Sequence, residues 1–300
     1  MKLNRRLFLQ SGLAFAAARP LLPQDGVRVT TGMVYIPAGT FTMGEGQTAH
    51  QVSLDGFYMG RFLVTNAEYK AFVDAGDPVP RPRHWRGGTF PEDKANHPVL
   101  WVSWEDAQKY CVWMSHRTGQ TMMLPTEAQW EKAARGPQAF RYPWGNDRNP
   151  QNLNFNGFCA RKYGLEVTAD GHVPGWREFT ETTEYRELVD RGGYTTPVDA
   201  FPQGKSAYGC YDMAGNAWQW CSDWYMQEYY KLPDAARNPR GPSREQADEV
   251  NRAAERGKCK VIRGGSWYGQ LASASSVYRE ETRKPERGYH SVGFRVAGTQ

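Results

Sequence analysis

The stretch TTPVDAFPQGKSAYGCYDMAGNAWQWCSDWY, residues 195–225, has neither the two-residue alternation of a strand nor the 3.6-residue period of a helix. Gly, Asn, Asp and Trp punctuate it throughout, and YPWGNDRNPQNLNFNGF, residues 142–158, reads the same way. A compact protein carries this much irregular chain when aromatics, disulfides or cations cross-link it. The composition agrees. Eleven Trp and sixteen Tyr, set among 31 Gly and 19 Pro, shift the packing burden onto large rings with a polar handle. The apolar content of 40% still suffices for a substantial core, so little regular secondary structure is expected, but not disorder.

Working outward, residues 32–44, GMVYIPAGTFTMG, predict two short strands joined by a turn at Pro37 and Gly39. Three capped helices follow. In residues 62–76 Thr65 precedes Glu68 by three positions and Gly76 marks the stop, so Tyr69, Phe72 and Val73 would form the buried face. Residues 102–119 repeat that grammar with Ser103, Asp106 and Gly119, and residues 124–136 with Thr126, Gln129 and Gly136. Residues 166–193 and 226–257 read as polar insertions, the second containing an exposed helix at REQADEVNRAAER. From KVIRGGSWYG at 260 to VGFRVAG ending at 298 the pattern is strand, loop, strand.

Taken in order, MVYIPAGTFTMG, VTNAEYKAFV, HPVLWVSWEDAQKYCVWM, LPTEAQWEKAARG, YPWGN, GNAWQWCSDWY, VIRGGSWYG and GFRVA closely resemble the formylglycine-generating enzyme, or sulfatase-modifying-factor, family. The resemblance covers residues 32 to 298. It implies one α+β domain over 32–300 related to C-type lectins, with short strands wrapped by loops, structural calcium, and oxidative chemistry at a surface cleft. Activity is a separate matter from membership.

Family members that generate formylglycine hold copper(I) on two cysteines spaced C-x4-C in the loop before the GFR strand. Two thiolates suit that soft ion as no other side chains do. The matching positions here are Ala272 and Val277, and SASSVYREETRKPERGYHSVGFRVAG, residues 273–298, contains no cysteine. Formylglycine generation by the copper–thiolate route is therefore not expected. The family has branches without these cysteines, and the exported members that act in pyoverdine maturation are the more similar. What the loop offers is Tyr278, Arg279 and Glu280, with Trp267, Tyr268 and His290 nearby in sequence. These are candidates for acid–base work or for binding a zwitterion. Equally, Arg279, Glu280 and Arg283 could be a solvated ion-pair network bracing the loop.

The resemblance also implies two calcium loci. One comprises Asn154, the Phe155 carbonyl and Asp190, and the other Asp212, the carbonyls of Gly215 and Ala217, and the side chain of Gln219. Hard oxygens mixed with carbonyls are what calcium prefers, but Gln219 stands where the family usually has glutamate, which should weaken the second locus. Asx-type turns without metal would use the same residues. The six histidines show no chelating spacing. An iron site would need His84 or His290 with a distant carboxylate, so no redox metal is assigned.

At the N-terminus, paired Arg5-Arg6, then Phe8-Leu9 and an apolar run ending Ala16-Ala17-Ala18, match a twin-arginine export signal over 1–18, followed by a linker over 19–31. The run is too short to span a bilayer. Removing it takes Lys2, Arg5 and Arg6 from the 37 basic residues, leaving 34 against 32 acidic. No basic stripe remains to suggest nucleic acid as a partner. Five cysteines, an odd number with no C-x-x-C, leave at least one unpaired within the chain. The function expected is a periplasmic or secreted, monomeric, oxidoreductase-like enzyme that modifies a small peptide or peptide-derived metabolite. The alternative is a non-catalytic lectin-like module binding a peptide, glycan or partner protein.

Overall fold

The computed structural model describes residues 32–76, 79, 81–253, 258–281 and 283–299; the expected signal and linker lie outside them. The chain opens with strands β1 (Met33–Ile36), β2 (Gly39–Met43), β3 (His50–Leu54) and β4 (Phe57–Gly60). The first two form where expected, joined through Pro37–Ala38, but do not pair with each other. β1 runs antiparallel to β4 and β2 to β3, because Pro37 and Gly39 (φ 133°) separate the strands instead of folding them back.

The three capped helices form where expected: α1 (Asn66–Asp74), α2 (Trp104–Thr118) and α3 (Glu127–Arg135). Thr65 and Thr126 each close a capping box, with Glu68 and Gln129, while the Ser103 hydroxyl accepts from Asp106 N–H at 3.1 Å. On α1, Tyr69 and Phe72 are fully buried and Val73 only half-buried. Strand β5 (Met122–Met123) sits between α2 and α3. The insertion at 166–193 is itself helical: after α4 (Asn156–Lys162) come α5 (Trp176–Thr180) and α6 (Thr183–Asp190), which carry Trp176, Phe179 and Tyr185 inward. Then follow β6 (Trp218–Trp224), the surface helix α7 (Arg244–Ala253), β7 (Lys260–Arg263), β8 (Arg279–Glu280), β9 (Val292–Gly293) and β10 (Ala297–Thr299).

Two four-stranded sheets result, ordered β1-β4-β10-β5 and β8-β7-β6-β9, beside the β2-β3 hairpin. Ile36, Phe41, Met43, Trp130 and Val261 form one core between strands and α3. A second core gathers Leu63, Leu100, Val198 and Trp267 with the rings of α5 and α6. No helix among the described residues is long and apolar enough to cross a membrane.

Candidate functional site

Trp267, directly after the Gly264-Gly265-Ser266 turn, is fully buried, and its indole N–H donates to the His290 carbonyl at 3.2 Å. That bond brings two of the expected residues together across the loop. The Tyr268 ring centre lies 4.9 Å from that of His290, and Trp267 lies 5.7 Å from it. Helix α6 supplies a member that the sequence reading missed: Tyr185 Oη is 3.2 Å from His290 Nε2. Its signals were present in the Thr182 cap, whose hydroxyl accepts from Tyr185 N–H, and in the three-residue spacing of Tyr185 and Leu188. Burial, assisted by Arg283, pushes the His290 imidazole down to about 4, and burial also raises the Tyr185 phenol. A neutral phenol and a neutral imidazole are therefore joined by a hydrogen bond in an apolar setting.

Trp101 and Trp176 complete the cluster, 6.0 Å from His290 and 6.1 Å from Tyr268 between ring centres. Both indole N–H groups are buried without an acceptor. Trp101 is also held at φ 63°, a conformation that costs a bulky residue about 1–3 kcal/mol and that concentrates at functional sites. The Arg83 guanidinium lies 5.2 Å above its ring. Gly193 forms the back wall: a Cβ there would come within 2.5 Å of Trp267, so only glycine allows the backbone this close.

The other three loop residues face elsewhere. Arg279 makes a two-pronged ion pair with Glu127 at the start of α3, at 2.6 and 2.9 Å, and stacks on Tyr225 and Tyr230. Arg263 binds the same carboxylate at 3.2 Å. Burial alone would raise Glu127, but these two guanidiniums hold it below its ordinary value. Arg279 thus braces the loop through α3. Tyr278 is exposed and lies 5.9 Å from Trp218, and Glu280 is fixed in register with Ile262.

Copper does not fit the donors present. Cys111, Cys159, Cys210, Cys221 and Cys259 are buried in α2, α4, the 205–212 turn, β6 and the residue before β7; burial raises the pKa of each, and none belongs to the loop. Among the described residues no group of three His, Cys, Asp or Glu is placed to hold a metal, so neither His84 nor His290 gathers the carboxylates an iron site would need.

The calcium loci differ from each other. At the first, Asn154 donates to the Tyr194 carbonyl at 2.8 Å while its Oδ1 is buried without a partner, an oxygen suited to a hard cation. Of the other two expected donors, the Phe155 carbonyl accepts from Phe158 N–H at 2.9 Å and Asp190 is half-exposed and paired with Arg86 at 2.7 Å, so for these residues to hold an ion Asp190 would have to leave Arg86. The second locus does not fit. Gln219 Oε1 accepts from Trp130 Nε1 at 2.7 Å and from Arg295 Nε at 2.6 Å. Both partners can only donate, so the amide orientation is fixed. Its N–H2 therefore points at the carbonyls of Asp212 (2.6 Å) and Ala217 (3.4 Å), while Gly215 O accepts from Ala217 N–H. An N–H group stands where an oxygen ligand was expected. Burial meanwhile raises the Asp212 carboxyl to about 7.

Sheets of this order wrapped by loops, with the cluster beside the GGSW turn, define a sulfatase-modifying-factor fold. The family described as "Sulfatase-modifying factor enzyme 1-like domain" matches residues 18–300, and the chain belongs to it. It is 30% identical to the formylglycine-generating enzyme of Mus musculus, covering 89% of this chain and 75% of the mouse protein. It is 31% identical to that of Thermomonospora curvata, covering 92% and 95%. The solved structure of PvdO from Pseudomonas aeruginosa superposes with a TM-score of 0.64 at 24% identity, covering 89% of this chain and 94% of that one.

Proposed function

We propose that this protein is an exported modifying enzyme that oxidises a peptide or peptide-derived metabolite at the aromatic cluster around His290, independently of a copper–cysteine pair. The observation that carries the reading is the Tyr185–His290 contact, a hydrogen-bonded pair walled by Trp267, Tyr268, Trp101 and Trp176. Such a contact fixes the orientation of a neutral imidazole that can act as a base, and the rings exclude water and supply stacking surface. Dioxygen is the oxidant this class of chemistry requires. Structural calcium at Asn154 and Asp190 is part of the proposal.

The test is oxygen uptake and product mass by the mature protein with peptide substrates. Tyr185→Phe and His290→Gln should each lower turnover by about 10²-fold or more. Because His290 stays unprotonated down to about 4, activity needing the free base should persist below the ordinary histidine range and fall as pH drops through about 4. Copper-dependent conversion of a cysteine-containing sulfatase peptide to an aldehyde would overturn the reading, and ligand binding without turnover would make the chain a binding module. Export is checked by replacing Arg5 and Arg6 with Lys, which should strand the protein in the cytoplasm.

A further inference from the structure

Gly193 also borders a cavity of about 350 Å³ lined by Lys94, Thr195, Thr196, Phe158, Tyr163 and Leu188. That volume suits a small molecule. Lys94 Nζ is within reach of four groups: the carbonyls of Gly193 (3.3 Å) and Thr195 (3.2 Å), Thr195 Oγ1 (3.3 Å) and His97 Nδ1 (3.3 Å). None is a carboxylate. The hydrogen bonds of this ammonium all go to neutral groups, and a desolvated charge without a contacting carboxylate is costly. Asp93, exposed and itself a lining residue, offsets the charge as a neighbour but lies 3.8 Å from Arg191, which also lines the cavity.

A second observation is independent of the first. Thr196 is locked by its backbone, whose N–H donates to Asn216 Oδ1 at 3.0 Å and whose carbonyl accepts from Asn216 Nδ2 at 3.1 Å. Its hydroxyl nevertheless has no partner and is buried. Buried polar groups without partners are few in native proteins, and each calls for an explanation. A cation, an idle hydroxyl and an apolar wall of Phe158, Tyr163 and Leu188 in one cavity describe a complementary ligand.

We infer that this cavity is a binding site for a small carboxylate with an apolar body, the carboxylate meeting Lys94 and the Thr196 hydroxyl and the apolar part resting on Phe158, Tyr163 and Leu188. A single half-buried ammonium supplies one positive charge, which matches the charge of a monoanion. The inference is independent of the activity proposed above. Its bearing on that activity is positional: Gly193, whose carbonyl accepts from Lys94, also packs against the Trp267 indole.

The test titrates N-acetyl-leucine and its uncharged amide into the mature protein by calorimetry near neutral pH. The acid should bind with Kd below about 1 mM, and the amide at least about tenfold more weakly. Thr196→Val removes only the idle hydroxyl, so it should leave the melting temperature unchanged while weakening the acid about five- to tenfold. Lys94→Met should abolish binding. Since it also strips hydrogen bonds from residues 193–195, Leu188→Trp, which fills the cavity and leaves Lys94 in place, should abolish binding as well. Burial, opposed by Asp93 and assisted by Arg191, brings Lys94 down to about 8, so affinity should fall as pH rises through that value. His97 and His84, both pushed by burial to about 4, are neutral there and contribute no charge. Equal binding of acid and amide, no binding of the acid at about 10 mM, or acid binding untouched by Thr196→Val and Leu188→Trp overturns the inference.

Discussion

The Gln219 side chain is turned by partners 89 and 76 positions away, Trp130 and Arg295. From the sequence it looked like a calcium ligand short of one charge; nothing local reveals that its oxygen faces two donors and its nitrogen two carbonyls. The orientation predicts an unusual phenotype. Gln219→Glu sets a carboxylate oxygen against the carbonyls of Asp212 and Ala217, so without calcium the variant should lose about 1–3 kcal/mol. Millimolar calcium should restore it by bridging those oxygens. Wild-type protein should respond only through the Asn154 locus, and Asp190→Ala should remove that response. Melting curves with chelator and with added calcium check all three; a Gln219→Glu protein indifferent to calcium would refute the account of this locus. Tyr185 was hidden for a similar reason, since its role depends on His290, 105 positions later.

Among the elements, α1, α2 and α3 were legible because their caps are local: a hydroxyl, a third residue and a stop lie within one helical stretch. Helices α5 and α6 were not, because α5 begins at Gly175 without a side-chain cap and α6 has tyrosine where a capping box needs Glu or Gln. Loop bracing was half legible. Arg279 was recognised as an ion-pairing residue, but its partner Glu127 sits 152 positions away on α3. That pairing joins α3, β7 and β8 through one buried carboxylate, which also accepts from Tyr230 Oη at 3.0 Å. Glu127→Ala would leave the Arg263 guanidinium buried beside only Glu131 and would release Arg279. Losing one member of a buried pair costs about 3–5 kcal/mol. Urea unfolding should show that loss, and hydrogen exchange should show it concentrated at 275–281; a loss below about 1 kcal/mol, as for a surface pair, would show the network to be incidental.

Over the whole molecule, the α+β class and the family were legible because irregular segments rich in Gly and Trp recur in a fixed order. Strand pairing was not. β10 is three residues long, yet it lies between β4 and β5, with Ala297 opposite Met59 and Met123. Deleting residues 297–300 should strip both neighbours of hydrogen bonds and produce insoluble protein; a soluble truncated chain with native melting would show β10 to be dispensable. The position of β10 also bears on time. Residues 57–60 can pair with β1 early, but their other edge cannot find its partner until residues 297–299 have left the ribosome, so the first sheet stays open on that side for nearly the whole of synthesis. The capped helices can form as they emerge, but closure waits for the last strand.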